Sequence, residues 1–450
     1  MRPPTWSSRE APLPATSAQA PARAPLRSPR KLLRLELPSE QTTSQDARPL
    51  LLTLGLPTFG LAFAITILTT YGPSVLLALT HSPAKVGALI GGEGAFALAI
   101  PLIAGVLSDR MAGTGRFGPR LPFVIVGAPL AGAGLVLLPF APDYQLAGLF
   151  ILAFFIGYYI YYPPYRAIYA DLLPKRLLPR AQSSQAIMRG AGLGLALVAG
   201  GLLLSAWTPL PFVLGTAVLG VSTLGLKPVI RLQQECPPRP GDEDSEGVNP
   251  GELFLHHRAL QIFALANAIW EYSFAGLKVF IVLYVTKGLG KSTSMASVFI
   301  AVVAVAYVIG APIASRLSER YGIVRVMEIS ALAYGLLLCV GIFPTTVTPM
   351  MIVLPFGALA GSILMTLPQA LAFTIAPDDA QGSAAGLVDF SRGVGVVLGP
   401  LLVGAGVSWS KSWLSATHGY AIMWLMIGAP IVASLALLRM LRSHVAAAAT

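Results

Sequence analysis

Charge is what this sequence has least of. Only 11% of its 450 residues are Asp, Glu, Lys or Arg, against about 25% in an ordinary soluble domain. With 55% hydrophobic residues and a mean hydropathy of +0.70, folding in water alone does not hide so much apolar surface. A soluble globule is therefore excluded in favour of a bilayer protein. Cysteine is nearly absent: Cys236 and Cys339 make no disulfide framework. Histidine is scarce too, and the adjacent pair His256-His257 points in directions about 100° apart on a helix, so no metal site is read. There is no Ser/His/Asp constellation and no Walker lysine, which argues against an enzyme and against ATP as energy source. "RGAGLG" (189–194) imitates part of a dinucleotide fingerprint, but it lies in an apolar span with no βαβ unit around it. Close helix packing is the expected use of its glycines. No cofactor is implied.

What is abundant is long apolar runs. A helix needs roughly 20 apolar residues to cross a bilayer. Twelve such spans are predicted, at 50–79, 84–107, 120–140, 144–170, 181–206, 209–228, 258–285, 294–315, 325–343, 349–375, 381–407 and 417–440. The expected fold is an all-α membrane protein of two six-helix bundles, 49–228 and 257–442. They are joined by the polar segment 229–256, "VIRLQQECPPRPGDEDSEGVNPGELFLH", and flanked by cytoplasmic tails, 1–48 and 443–450. The first tail is rich in Pro, Ala, Ser and Arg and lacks the apolar core of a secretory signal. A transit peptide is opposed by Glu10, Glu36, Glu40 and Asp46, so disorder is expected.

The formal net charge is +11. In a soluble protein that points to nucleic acid; here the positive-inside rule accounts for it, and no nucleic-acid partner is expected. One set of connections, without the first tail, holds 15 Lys and Arg, while the other holds four: Lys85, Lys287, Lys291 and Lys411. Both termini are therefore expected in the cytoplasm.

The halves echo each other. "LSDR" (107–110) recurs as "LSER" (317–320), and "MRGAGLGLALVAGG" (188–201) as "SRGVGVVLGPLLVG" (391–404), at offsets of 210 and 203 residues. Duplicated six-helix units place a solute site near the midplane, at the repeat interface.

Charges inside spans are costly and usually paired or functional. They are Glu93, Arg166, Arg189, Glu271, Lys278, Asp389 and Arg392. Glu93, in "GGEGA", reads either as a protonatable coupling group or as an interdomain hydrogen-bond partner. Glu271 and Lys278 share one face but are about 10 Å apart along the axis, too far for a direct ion pair. Glu271 lies about 20 Å along the seventh span and Arg392 about 16 Å along the eleventh, so similar depth makes them a candidate pair. Asp389, three residues from Arg392, is the alternative partner. Such a pair is either a structural lock or one that breaks on protonation or solute binding.

In "YYIYYPPYRAIYADL" (158–172), Tyr158, Tyr162, Tyr165 and Tyr169 form one helical stripe. Tyr158 and Tyr162 lie deep enough to offer rings and hydroxyls to a solute. Tyr159, on another face, is expected to be more tolerant. Tyr165 and Tyr169, near the helix end, read as an interfacial aromatic belt. Arg166 reads as a partner of Asp171 or another acid in a gating layer, or as a solute contact.

"GVLSDRMAGTGRFGPR" (105–120) resembles the signature loop between the second and third helices of the major facilitator superfamily, with Gly105, Asp109, Arg110, Gly115 and Arg116 in its pattern. The resemblance extends over 50–440. "SDR…GRFGPRLPFVIVG" and "PYRAIYADL", through Pro164, Arg166, Ala167, Ala170, Asp171 and Leu172, look like the sucrose-transporter and glycoside–cation symporter branch. In one respect the chain departs from plant-type members: Phe155 stands where they keep an intramembrane aspartate. The resemblance implies two bundles about a central cavity, alternating access, and no enzymatic activity. The implied partners are a small polar solute such as a sugar or glycoside, a coupling cation (proton or sodium) and the lipid bilayer. It further implies a monomer in a bacterial inner membrane. Tyr158, Tyr162, Arg166, Glu271 and Lys278 are then candidates for solute binding. Glu93, Arg189, Asp389 and Arg392 are candidates for coupling or charge pairing. Gly105, Asp109, Arg110, Arg116, Asp171, Glu319 and Arg320 are candidates for gating, with Asp109 and Glu319 expected near helix starts, where a carboxylate meets a favourable dipole. A non-transporting relative that handles or assembles pigment–protein complexes is the rival class.

Overall fold

The computed structural model describes residues 48–110, 120–173, 177–229, 232, 257–343, 346–376 and 381–448. Its regular structure, among the described residues, is helical throughout, the expected outcome where no water satisfies backbone groups. The first half contains α1 (Arg48–Thr80), α2 (Pro83–Gly91), α3 (Glu93–Arg110), α4 (Leu121–Leu137), α5 (Tyr144–Leu172), α6 (Leu178–Ala206) and α7 (Leu210–Leu224). The second contains α8 (Arg258–Leu283), α9 (Thr293–Tyr321), α10 (Ile323–Val340), α11 (Val347–Thr366), α12 (Pro368–Ile375), α13 (Gln381–Ser410) and α14 (Ile422–Ala448).

Eleven of the predicted spans are long and apolar enough to cross a membrane among the described residues. At the remaining position, the eighth, stands the 29-residue α9, whose described apolar stretch is Thr293–Ala306. Two predicted spans are not single helices. The second is divided at Gly92 into α2 and α3, where the ladder tightens to Ala95 N–H donating to the Gly92 carbonyl at 3.1 Å. The tenth is divided before Pro368, whose missing N–H cannot continue α11.

Local signals set several ends. Asp143 caps α5 by accepting from Leu146 N–H at 2.8 Å, and Ser292 caps α9 by accepting from Met295 N–H at 3.2 Å. Gly322, at φ +83, turns the chain sharply between α9 and α10.

The two halves repeat one packing scheme. In the first, α1 lies against α6 and α7, and α4 against α5 and α7; in the second, α8 lies against α13 and α14, and α10 against α11 and α14. The halves meet where α2 and α3 cross α13, where α6 crosses α9, and where α1 touches α8. The crossing of α2 with α13 is close because of glycine. A Cβ on Gly87 would lie 2.0 Å from the Pro400 carbonyl oxygen, and one on Gly94 would lie 2.6 Å from that of Gly393. Between them Gly91 faces Val397, so residues four and three apart line one face of each helix. Ala84 N–H donates to Ser408 Oγ at 3.1 Å, and Ser294 and Ser205 are bonded at 2.9 Å across the α9–α6 crossing.

The Gly87–Pro400, Ala84–Ser408 and Ser205–Ser294 contacts lie toward the end remote from Arg48. Toward the other end the flanking residues Ile187 and Arg189 on α6, and Asp389 and Phe390 on α13, are exposed. Among the described residues the halves thus form a cleft closed at the end away from the termini.

Candidate functional site

The closed end of the cleft is floored by charge. Glu93 occupies the first turn of α3, where the helix dipole favours an anion, and the glycine contacts beside it bring it to the boundary between the halves. Its carboxylate accepts from the Tyr159 hydroxyl of α5 at 3.3 Å. From the other half, Lys278 of α8 lies within electrostatic range of both Glu93 and Glu271. One face of α8 thus carries an acid and a base seven residues apart, each with a counter-charge on a different helix.

Glu271 stands 3.8 Å from Arg392 of α13. The carboxylate is mostly enclosed, with 15% of its side chain exposed, whereas the arginine is 56% exposed to the cleft. Asp389 is exposed on the same helix and within electrostatic range of both. Arg392 also lies in range of Tyr159 and Tyr162, which belong to the opposite half.

The tyrosines of α5 divide. Tyr158 is 8% exposed, stacked between Phe154 and Tyr162 at centroid separations of 5.9 and 5.7 Å. Tyr162 is half-buried; its ring has the Arg166 guanidinium at 5.6 Å and that of Arg189 at 5.8 Å, and its oxygen accepts a hydrogen bond from Arg189 Nη2. Tyr165 and Tyr169 are not an interfacial belt. Both are buried and both hydroxyls donate to the Leu54 carbonyl of α1, with Thr58 Oγ1 2.8 Å from the Tyr165 oxygen. Nearness to a helix end suggested lipid headgroups; a neighbouring helix covers that end instead.

Asp171 does not bond Arg166. Its salt bridge is with Arg120, at 3.2 Å, just before α4. Five residues along a helix turn a side chain by about 140°, so Arg166 and Asp171 face apart. Arg166 is exposed. Phe155 is fully buried, stacked on Phe96 at 6.1 Å, so this position is an apolar contact between α5 and α3.

The gating candidates are only partly visible. Gly105, Asp109 and Arg110 fall on the last turns of α3, but their side chains lie outside the described residues, as does all of Arg116. Glu319 and Arg320 are exposed on the last turns of α9, and Arg320 covers the Tyr321 ring at 5.3 Å. The predicted tail up to residue 47 and most of the predicted linker also lie outside. Of the glycines in 189–194, only Gly192 packs closely, against the Phe59 carbonyl; Gly190 and Gly194 have open space at the Cβ position.

Three residues were missed by sequence reasoning. Tyr159, expected to tolerate change better than Tyr158 and Tyr162, reaches Glu93. Arg120 is not singled out by the sequence, yet it holds Asp171. Asn267, one turn before Glu271, is buried, and its Nδ2 donates to Ser391 Oγ at 2.8 Å, tying α8 to α13 beside the Glu271–Arg392 pair. An amide inside an apolar span was a readable signal.

Paired helical halves around a cleft lined with opposed charges and tyrosines are the architecture of a membrane transporter. The family model for the Major Facilitator Superfamily matches residues 54–277 and 263–449. The chain belongs to that superfamily; it is a secondary transporter and not an enzyme. A bacterial homolog of the human lysosomal transporter Spinster, in an inward-facing, unoccupied conformation, is similar at a TM-score of 0.68 and 17% identity, covering 90% of this chain and 97% of that one. The same homolog in its occupied form has a TM-score of 0.68, 17% identity and coverage of 89% and 96%. A mutant of the nucleoside transporter NupG has a TM-score of 0.72 and 16% identity, with coverage of 87% and 99%. At such identities these likenesses establish the shared fold. No curated protein matches the sequence.

Proposed function

We propose that this transporter moves a small hydroxylated solute, a sugar or glycoside, by alternating access coupled to a cation. One observation carries the reading: acids, bases and tyrosines from both halves converge where the cleft closes. Glu93 with Tyr159 comes from one half, and Glu271, Lys278 and Arg392 from the other. Charges buried in a bilayer protein persist where they bind or move something. Tyr162, half-buried and with Tyr158 stacked behind it, offers a flat ring that suits the apolar face of a pyranose, while the carboxylates and amides nearby suit its hydroxyls.

Glu93 and Glu271 are the coupling candidates. Protonating Glu271 releases Arg392, and protonating Glu93 releases Lys278, so either event loosens contacts that tie one half to the other or lock the cleft floor. The Lys and Arg bias supports termini in the cytoplasm; on that placement the cleft opens inward, and the inner membrane of a bacterium is the expected home of a working monomer. Asp109, Arg110, Arg116, Glu319 and Arg320 are proposed to close the inward end.

The test is a thermal-unfolding screen of the purified protein against sugars, glycosides and nucleosides. Hits are then taken to uptake into proteoliposomes with an imposed proton or sodium gradient, since a ligand that binds only the folded state stabilises it. Stabilisation by nucleosides with none by sugars would sink the sugar reading. Uptake that ignores both gradients would sink the coupling.

A further inference from the structure

The two halves are not electrically alike. Arg189 and Arg392 are counterparts in the repeat, 203 residues apart at the same place in "MRGAGLG" and "SRGVGVV". Arg392 has a carboxylate, Glu271, delivered by α8 at 3.8 Å. The repeat counterpart of α8 is α1, and α1 contains no Asp or Glu from Arg48 to Thr80. Arg189 therefore has no carboxylate from α1 to match the one its twin receives from α8. A tyrosine hydroxyl stands there instead: Arg189 Nη2 donates to Tyr162 Oη.

A second cation adds to the imbalance. The Arg166 guanidinium sits 5.6 Å from the centroid of the same Tyr162 ring that Arg189 approaches to 5.8 Å. Both arginines are exposed to the cleft. Among the described residues neither forms a salt bridge, while Arg120 and Arg392 each do. Two like charges drawn to one ring repel, and they do so most strongly where the dielectric is low. What would relieve them is an anion between them.

We propose that Arg166, Arg189 and Tyr162 form an oxyanion site, so that the transported solute carries a carboxylate, phosphate or sulfate group. The inference rests on the transporter reading above and narrows its solute class from neutral sugars to sugar acids, sugar phosphates and related organic anions. The donor set fits. Guanidinium groups present paired N–H donors that match the two oxygens of a carboxylate or phosphate. Because Arg189 already donates to the Tyr162 oxygen, the hydroxyl proton of Tyr162 is left to donate to the ligand. The ring then holds the hydroxylated body of the solute, while Arg392, in range of Tyr162, keeps its own carboxylate.

The experiment uses the full chain in nanodiscs of phosphatidylcholine. Glucose is compared with glucuronate and glucose 6-phosphate, and inorganic phosphate and sulfate serve as minimal probes. The anions should raise the unfolding temperature at concentrations where glucose does not, and added salt should weaken them. Arg166→Gln and Arg189→Gln should each lower anion affinity about tenfold or more, the usual weight of a hydrogen bond to a charged group; Arg189→Lys should retain part of it. Should either glutamine variant fold poorly, the wild-type protein still decides: bound anion should protect Arg166 and Arg189 from phenylglyoxal, and glucose should not. An anionic headgroup has the same chemistry, so the series is repeated with phosphatidylglycerol. If that lipid alone protects the arginines and abolishes the effect of soluble anions, the site takes a headgroup and the solute-class inference is overturned. Binding and transport of glucose with every anion ignored overturns the inference and leaves the transporter reading standing. If neither kind of probe stabilises the protein or protects the arginines, both fall.

Discussion

Replacing Arg392 by glutamine removes the cation that stands 3.8 Å from the Glu271 carboxylate. The attraction at that separation is about 4 kcal/mol at an effective dielectric of about 20 and about 1 kcal/mol in bulk water. The partners do not share surroundings, since the arginine side chain is 56% exposed and the carboxylate 15%. Water in the cleft hydrates Arg392 when it is left alone, whereas Glu271 has little access to water, with Lys278 as a second cation in range. Arg392→Gln should therefore cost about 2 kcal/mol, somewhat below the usual loss on breaking a fully buried pair. Glu271→Gln strands the more exposed charge and should cost about 1 kcal/mol, in the range of accessible ion pairs. The double variant holds two neutral amides and should resemble Glu271→Gln, so the cycle gives a coupling of about 2 kcal/mol. Unfolding midpoints of the four proteins in one detergent provide the measurement, with Arg392→Gln expected lowest. Losses that simply add would show that the two residues do not interact. A Glu271→Gln variant less stable than Arg392→Gln would show that the exposures have been given the wrong weight.

Gly87→Ala would place a methyl group 2.0 Å from the Pro400 carbonyl oxygen, so α2 and α13 must separate. A cysteine introduced at Ser408 should then label faster from the closed end, and unchanged labelling would remove this crossing from the gate. Tyr162→Ala should weaken solute binding most among the α5 tyrosines, because it is the one partly open to the cleft; Tyr158→Ala should act mainly on stability, and the reverse pattern in parallel binding and unfolding assays would refute the assignment. Tyr159→Phe removes a donor to Glu93, a neutral-donor bond worth about 1 kcal/mol, and should slow uptake while leaving solute affinity near wild type; a weakened affinity with an unchanged rate would refute the assignment. Asp109→Asn should slow transport in a folded protein, and full activity would remove Asp109 from the gating account.

The helices and their pairing into two halves were legible because a bilayer forces each crossing to be written as a long apolar run, and because the repeats carry matched charges. The breaks at Gly92 and before Pro368 were not, since hydropathy is continuous across both. Rise per residue sufficed to put Glu271 and Arg392 at one depth. The angular step along α5 gave relative directions only; it could not say which face meets α1 and which meets α3. That is why the helix end suggests an interfacial belt for Tyr165 and Tyr169 although they bond Leu54, and why the contact of Tyr159 with Glu93 is not legible. The Arg120–Asp171 bridge joins positions 51 residues apart and depends on how α4 and α5 lie together, which no local pattern encodes.

Pro163 and Pro164 lie inside α5. Lacking N–H groups, they leave the carbonyls of Tyr159 and Ile160 without their usual intrahelical donors, and the helix is softest there. Below that joint, Tyr165 and Tyr169 fasten α5 to the backbone of α1. The lower part of α5, carrying Arg166, and the adjoining length of α1 are therefore tied together on one side of the proline pair. If Tyr162 and Arg166 hold the solute as proposed, its pull falls just beside that proline pair, and a displacement of one ring would become a larger sweep of the helix ends at the open mouth.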